Sequence, residues 1–297
     1  LLTAAGAEAV TRSAINNTGV LEAGSLTRDG GRIVLKAAGD ITLGTTSTVV
    51  VDGQKGGDIT VQAKSGTLLA DGRVAARGAA GTGGTVRLLG NQVGLINAAQ
   101  VDASGATGGG TVLVGGDYQG SNPNVQNAVA TFVASDARIT ADALQQGDGG
   151  KVIVWADGTT RYFGNISADG AGAGGNGGFV ETSGKETLIA TGQVSARASD
   201  GLAGTWLLDP NNITIQAAGS NTNVTASPNF TSTNDNAIVT TGSIQTALNA
   251  GTGVAVTTGS GGANSQPGNI TVASAIAKTA GGSATLTLNA ANNIVFN

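Results

Sequence analysis

The chain has 297 residues and contains no cysteine, histidine or methionine, with 50 glycines, 3% aromatics and a formal net charge of −4. The missing residue types exclude disulfides, thiol nucleophiles, imidazole bases and most transition-metal ligands together. Its 15 basic residues are scattered among 19 acidic ones, which leaves no basic stripe for nucleic acid.

Taken in chain order, the sequence is punctuated by Gly-Gly doublets. Their second members are Gly31, Gly57, Gly84, Gly110, Gly150 and Gly178, followed by the related Ala-Gly at Gly204, with steps of 26, 27, 26, 40, 28 and 26 residues. After each doublet comes a strand alternating any residue with an aliphatic one, as in Arg32-Ile-Val-Leu35, Asp58-Ile-Thr-Val61, Thr85-Val-Arg-Leu88, Thr111-Val-Leu-Val114 and Lys151-Val-Ile-Val154. A second short strand follows, ending aliphatic-x-Ala: Val74-Ala-Ala76, Val101-Asp-Ala103, Ile139-Thr-Ala141, Ile166-Ser-Ala168 and Val194-Ser-Ala196.

Alternation with period two buries one face of each strand, and a fixed repeat of this length marks stacked units. The spacing predicts an all-β fold, a parallel β-helix whose coils hold about 26 residues. About eleven such coils would make a rod on the order of 50 Å long. A narrow interior is expected to accept Val, Ile, Leu, Ala and Thr and to have no room for aromatics.

The long step of 40 residues places an inserted loop at about 115–131, containing Gly115-Gly-Asp-Tyr-Gln-Gly-Ser-Asn-Pro-Asn124. Insertions leave a solenoid on one face and carry either recognition or plain decoration. Composition changes near Asp209-Pro210, beyond which only Asp235 and Lys278 are charged. The chain therefore divides into a regular repeat region, 1–209, and a nearly uncharged Ser/Thr/Asn-rich continuation, 210–297, with strands at 212–215, 269–272 and 293–296. Segment 217–237 reads as a long loop or distorted coil. Ser243 to Gly251 reads as a short helical turn with an N-cap serine and a closing glycine.

Several stretches carry a family resemblance: Ile15-Asn-Asn-Thr-Gly-Val-Leu-Glu-Ala23, Gly115-Gly-Asp-Tyr-Gln-Gly120, Gly147-Asp-Gly-Gly-Lys-Val-Ile-Val-Trp155, Gly177-Gly-Phe-Val-Glu-Thr-Ser-Gly184, Gly204-Thr-Trp-Leu-Leu-Asp-Pro210 and Leu286-Thr-Leu-Asn-Ala-Ala-Asn-Asn-Ile294. They resemble the filamentous haemagglutinin-like exoproteins of two-partner secretion. The resemblance implies a right-handed parallel β-helix, an extracellular or cell-surface location, and export through an outer-membrane secretion barrel as partner. It also implies a structural or adhesive role in cell attachment or biofilm, in a portion downstream of the secretion domain. Asn122-Pro-Asn-Val125 resembles a motif of that secretion domain, and its position in the inserted loop also reads as a turn. The chain begins at Leu1 without a signal segment, which predicts an internal piece of a longer secreted chain.

If the second and fourth residues after each doublet point inward, the third points out, giving the column Val34, Thr60, Arg87, Leu113, Ile153, Glu181. Leu113 and Ile153, with Tyr118, Trp155 and Phe179 nearby, form a candidate contact patch, either covered by the insertion or open to a partner. Arg32 lies one rung from Asp58. The closest carboxylate pairs in sequence, Glu181 with Glu186 and Asp136 with Asp142, do not recur on one column, so a polysaccharide-acting enzyme is the minor alternative. No Gly-Gly-x-Gly-x-Asp tandem is present for calcium, and only Tyr118 and Tyr162 could ligate haem as side chains, so no metal or cofactor is expected. Six sequons occur, with Asn223 and Asn229 the candidate glycosylation sites. A glycan or host-cell receptor is the expected ligand class, and end-to-end self-association into a filament is the alternative assembly.

Overall fold

The computed structural model describes residues 2–4, 13–23, 31–208, 212–217, 237–258 and 268–297. The chain winds into a parallel β-solenoid of about nine turns, with coils of about 27 residues. That is fewer than eleven; the inserted loop and a helix use residues without adding rungs. At the inter-strand spacing this corresponds to a rod of roughly 40 Å.

Each regular coil contributes three strands rather than two. The first face stacks Arg32–Ala37, the start of Asp58–Ala70, the start of Thr85–Leu95, Thr111–Val114, Lys151–Ala156, Phe179–Gly184 and Thr205–Leu208, all parallel. The third face, which the aliphatic-x-Ala pattern identifies, runs from Val20–Glu22 to Gln193–Ser195 in a separate seven-stranded sheet. Between them lies a second face, formed by Asp40–Leu43, the ends of the two long strands, Ala130–Val133, Thr159–Tyr162 and Thr187–Ala190. The long strand Asp58–Ala70 turns that corner by a register shift between Ala63 and Thr67. A bulge of this kind bends a strand without ending it.

The inward assignment holds along the first face. Ile59, Val61, Val86, Leu88, Val112, Val114, Val152 and Val154 are all fully buried, and they stack in register from coil to coil. Ala76, Ala103, Ala141, Ala168 and Ala196 close the third-face corner inside the tube, also fully buried.

The expectation that aromatics are excluded from the interior needs correction, because Tyr162 and Trp206 are fully buried. Their rings meet edge to face, with centroids 6.5 Å apart. Room comes from Gly192, where an added Cβ would sit 2.6 Å from the Tyr162 ring. Both polar tips are satisfied, as buried Tyr and Trp require: the Tyr162 hydroxyl donates to the Gln193 carbonyl, and Trp206 Nε1 donates to Thr182 Oγ1 at 2.8 Å. Burial pushes the Tyr162 hydroxyl pKa well above its ordinary value.

The helical turn is a nine-residue helix, α1 (Thr241–Asn249), and its cap is Thr240 rather than Ser243. The Thr240 hydroxyl accepts the Ser243 N–H at 3.2 Å. Gly251, at φ +87°, follows the helix in the left-handed conformation, as the sequence indicated. The helix buries Ile244, Ala247 and Leu248 and lies against Gln193–Ser195, the last strand of the third face. Among the described residues no helix is long and apolar enough to cross a membrane.

Candidate functional site

The insertion is a strap that crosses the first face. It leaves after Val114 and returns at Ala130, so residues 130 and 131 belong to a strand and the loop proper spans 115–129. Asp117 starts a single turn, Tyr118–Gly120, by accepting the Tyr118 N–H at 2.8 Å. The same carboxylate receives Lys151 Nζ at 2.9 Å and Asn122 Nδ2 at 2.8 Å. Burial alone would raise its pKa, but the hydrogen bonds from Asn122, Lys151 and the Tyr118 N–H prevail and hold it below the usual value. Residues 122–125 form a turn, with Asn124 N–H donating to Asn122 Oδ1 at 3.1 Å and Val125 N–H to the Asn122 carbonyl at 3.1 Å.

The strap reaches beyond its own coil in both directions. Toward the N-terminal coils, Gln126 Oε1 accepts from Gln62 Nε2 at 2.9 Å and Gln126 Nε2 donates to the Lys64 carbonyl at 2.8 Å. Toward the C-terminal coils, the Gln119 N–H points between both oxygens of Glu181, 3.2 Å from each. Asn127 Nδ2 and Trp155 Nε1 share Asp157 Oδ1 at 3.0 and 3.1 Å. Tyr118 meets Phe179 edge to face at 5.7 Å.

Beneath the strap sits a small second core. Leu113, Ile153 and Trp155 are 3%, 0% and 3% exposed, with Val125 and Phe179 packed against them. The outward column therefore splits: Val34, Thr60 and Arg87 remain partly exposed, while Leu113, Ile153 and Glu181 lie under the loop. Of the candidate contact patch, Leu113, Ile153 and Trp155 are buried beneath the loop, Phe179 is half-buried, and Tyr118 is 40% exposed. Replacing Trp155 with alanine removes the ring on which Gly116 and Gly120 rest; a Cβ at either would come within 2.6 Å of it. The expected cost is about 3 kcal/mol, with new proteolytic cleavage confined to 115–129. Cleavage spread evenly along the rod would show that the strap is not a separate unit.

A polar column follows the third-face strands at Asp52, Arg77, Ser104, Asp142, Asp169 and Arg197. Arg77 pairs with Asp52 at 2.7 Å and Arg197 with Asp169 at 2.8 Å. Asp142, between Ser104 and Asp169, has no cation of its own among these pairs. Its pKa is raised, first by burial and further by the charges of Asp169 and Asp102, against hydrogen bonds from Ser167 Oγ and the Asp169 N–H. A raised carboxyl pKa costs stability once the group ionises, and that cost disappears as pH falls through the native pKa toward the unfolded value of 3.8. Asp142→Asn keeps an oxygen for both donors and removes the charge. The variant is expected to melt above the parent at neutral pH, with the advantage vanishing near pH 4; thermal melts across this range check it.

The remaining sequence candidates stay apart. Arg32 and Asp58 are register neighbours, but the ion pair of Asp58, at 3.8 Å, is with Arg87. Glu181 is held under the strap, whereas Asp142 sits on the third-face corner. Tyr162, a candidate haem ligand by residue type, lies inside the tube. Among the described residues no group of three or more acidic or other ligand residues could hold a metal ion. Asn223 and Asn229 lie outside the described residues. Shallow grooves among the described residues include one of about 310 Å³ over the third face, between Arg138, Asn165, Gln193 and α1, one of about 570 Å³ along the Gly-Gly corner, and one of about 410 Å³ between Thr45, Asp71, Arg73 and Asn97. The first has a mainly apolar surface with hydroxyl, amide and guanidinium groups among its lining. The sequence indicates the insertion and a patch it could cover, but not the Glu181 anchor.

No protein-family profile and no curated protein matches the chain at a significant level. Among solved structures, the chain is similar to the HMW1 secretion domain from Haemophilus influenzae, with 31% identity over 65% of this chain and a TM-score of 0.53. The match spans 48% of that structure, so the chain corresponds to about half its length. The likeness supports the general exoprotein family and the solenoid fold; it is to a secretion domain and not to a downstream segment.

Proposed function

We propose that this chain is a non-catalytic, β-helical segment of a secreted two-partner secretion exoprotein, which extends from the producing cell and takes part in adhesion. The observation that carries the reading is the 31% likeness to a secretion domain, supported by the parallel ladder of the described coils. Such a ladder can nucleate at its first coils and lengthen as the chain emerges, since each coil contacts only its neighbours. The Asn122-Pro-Asn turn, similar to a motif of secretion domains, fits the same assignment. Under this reading the partner during export is an outer-membrane barrel, and the ligand is a glycan or surface receptor met outside the cell.

The test is immunolabelling of intact producing cells with and without the candidate barrel, together with an adherence assay. Surface label that depends on the barrel, and adherence lost when residues 31–208 are removed, support the proposal. Label confined to the cytoplasm rules out export, and surface label with unchanged adherence removes the adhesive part.

A further inference from the structure

On the second face, the order of strands in space departs from their order in the chain. Ala237–Thr240 lies between Thr187–Ala190 and Ile213–Gln216, pairing in parallel with both. Ile213–Gln216 then pairs onward with Ile270–Val272. The chain therefore skips a rung after Thr205–Leu208, lays down Ile213–Gln216, and only later fills the skipped rung. On the first face no rung is skipped, and Thr205–Leu208 pairs directly with Gly253–Thr257.

We propose that the skipped rung is a strand-insertion switch. Ile213–Gln216 first pairs directly with Thr187–Ala190, and Ala237–Thr240, carrying α1 behind it, then opens that pairing and inserts. Spacing supports the direct pairing. Ala190 and Ile215 are inward residues of the two strands, both essentially fully buried, and they are 25 residues apart, the same interval that separates the paired Ala70 and Leu95. A direct pairing thus needs a coil of ordinary length and keeps every inward residue inward.

Chain order supplies the second argument. When a solenoid zips from its N-terminal coils, residues 213–216 become available before residues 237–240, and a coil-sized loop closes at lower entropic cost than one that must reach past the open rung. The final arrangement is favoured by what insertion adds. Val239 enters the inward column between Ala190 and Ile215 and is fully buried, and Ile244, Ala247 and Leu248 of the attached helix are buried with it. The helix also lies on Gln193–Ser195, covering what would be an open sheet edge.

The absence of native cysteine makes the switch measurable by disulfide trapping in the full chain. Ile189, Ile238 and Thr214 form one outward column across the three strands. Neighbouring rungs are about 4.8 Å apart, within disulfide reach, while next-but-one rungs at about 9.6 Å are beyond it. The variants are Ile189→Cys with Thr214→Cys, and Ile189→Cys with Ile238→Cys. Arg73→Cys with Arg138→Cys, two rungs apart on the third face, is the control.

Each variant is refolded from denaturant and oxidised in a short pulse after increasing delays. The expected result is a 189–214 crosslink at least tenfold above the control at short delays, falling to the control level as the 189–238 crosslink rises. A 189–214 yield that never exceeds the control, or a 189–238 yield already maximal at the shortest delay, overturns the proposal. The test reads strand order alone, so it stands or falls independently of the adhesive reading.

Discussion

Val114→Asp is expected to prevent the rod from forming as one cooperative unit, and Val86→Asp to do the same one coil earlier. Val114 stacks between Leu88 and Val154 in the inward column, and Val86 between Ile59 and Val112, all six fully buried. A carboxylate placed there has no cation or donor within the aliphatic column, and a buried unpaired charge is among the few changes that cost more than about 4 kcal/mol. That approaches the whole stability of an ordinary domain. In a solenoid the damage separates the ladder on either side, since each rung pairs with its neighbours, leaving the strap's contacts to Gln62 and Glu181 to bridge the gap. Thermal melting and limited proteolysis check it: the expected pattern is a lost or split transition with cleavage near the altered coil. Thr60→Asp is the control, on an outward position between Val34 and Arg87, and its transition is expected to stay close to that of the parent. An unchanged melt in either valine variant means that the inward and outward faces have been exchanged.

What the sequence revealed of this fold follows from where its side chains are constrained by neighbours on several sides. Inward residues such as Val86 and Val112 stack on their counterparts one rung away within one shared core, so their alternation survives in every coil and the first face is legible. The third face is legible for the same reason, with small Ala103 and Ala141 fixed at a tight corner. The second face is legible in the last coils, where strands at 212–215, 269–272 and 293–296 stand out, but not in the regular ones. Ala130-Thr-Phe-Val133 and Thr159-Thr-Arg-Tyr162 share no doublet before them and little composition, because Thr131 and Thr160 turn inward and satisfy their hydroxyls on the carbonyls of Trp155 and Ser183, both at 2.6 Å. A polar residue with a local acceptor does not look like core. The strap is legible as extra length beside an apolar patch, which leaves covered and open readings of Leu113 and Ile153; the contacts to Glu181 and Gln62 that hold it down are long-range, and no spacing reports them. Nor does spacing report the skipped rung, since residues 213–216 stand at the ordinary interval from Thr187–Ala190.

Gly109→Ala is expected to be nearly as damaging as a buried charge, although it adds one methyl group. The doublets were first legible as punctuation, and conformational freedom is the usual reason for glycine at a corner. The geometry gives another. Gly109 does not adopt a positive φ; a Cβ there would instead stand 1.9 Å from the Ala141 carbonyl oxygen and 2.3 Å from the Gly150 nitrogen. Both are backbone atoms of the next coil, so no rotamer change relieves the contact, and the two coils must separate at the corner where Gly110 N–H donates to the Ala103 carbonyl at 2.8 Å. Overpacking of this kind costs about 1–3 kcal/mol in a yielding core and more where only backbone can move. Gly242→Ala is the opposite case. It lies in the first turn of α1 with nothing within 4 Å of the added Cβ, and the helix preference of alanine is expected to raise stability by about 0.5–1 kcal/mol. Melting both variants beside the parent decides between the two roles of glycine. A loss at 109 with a gain at 242 assigns the doublets to close approach between coils, whereas equal small losses would return them to simple turn formation and leave the 26-residue period without its steric cause.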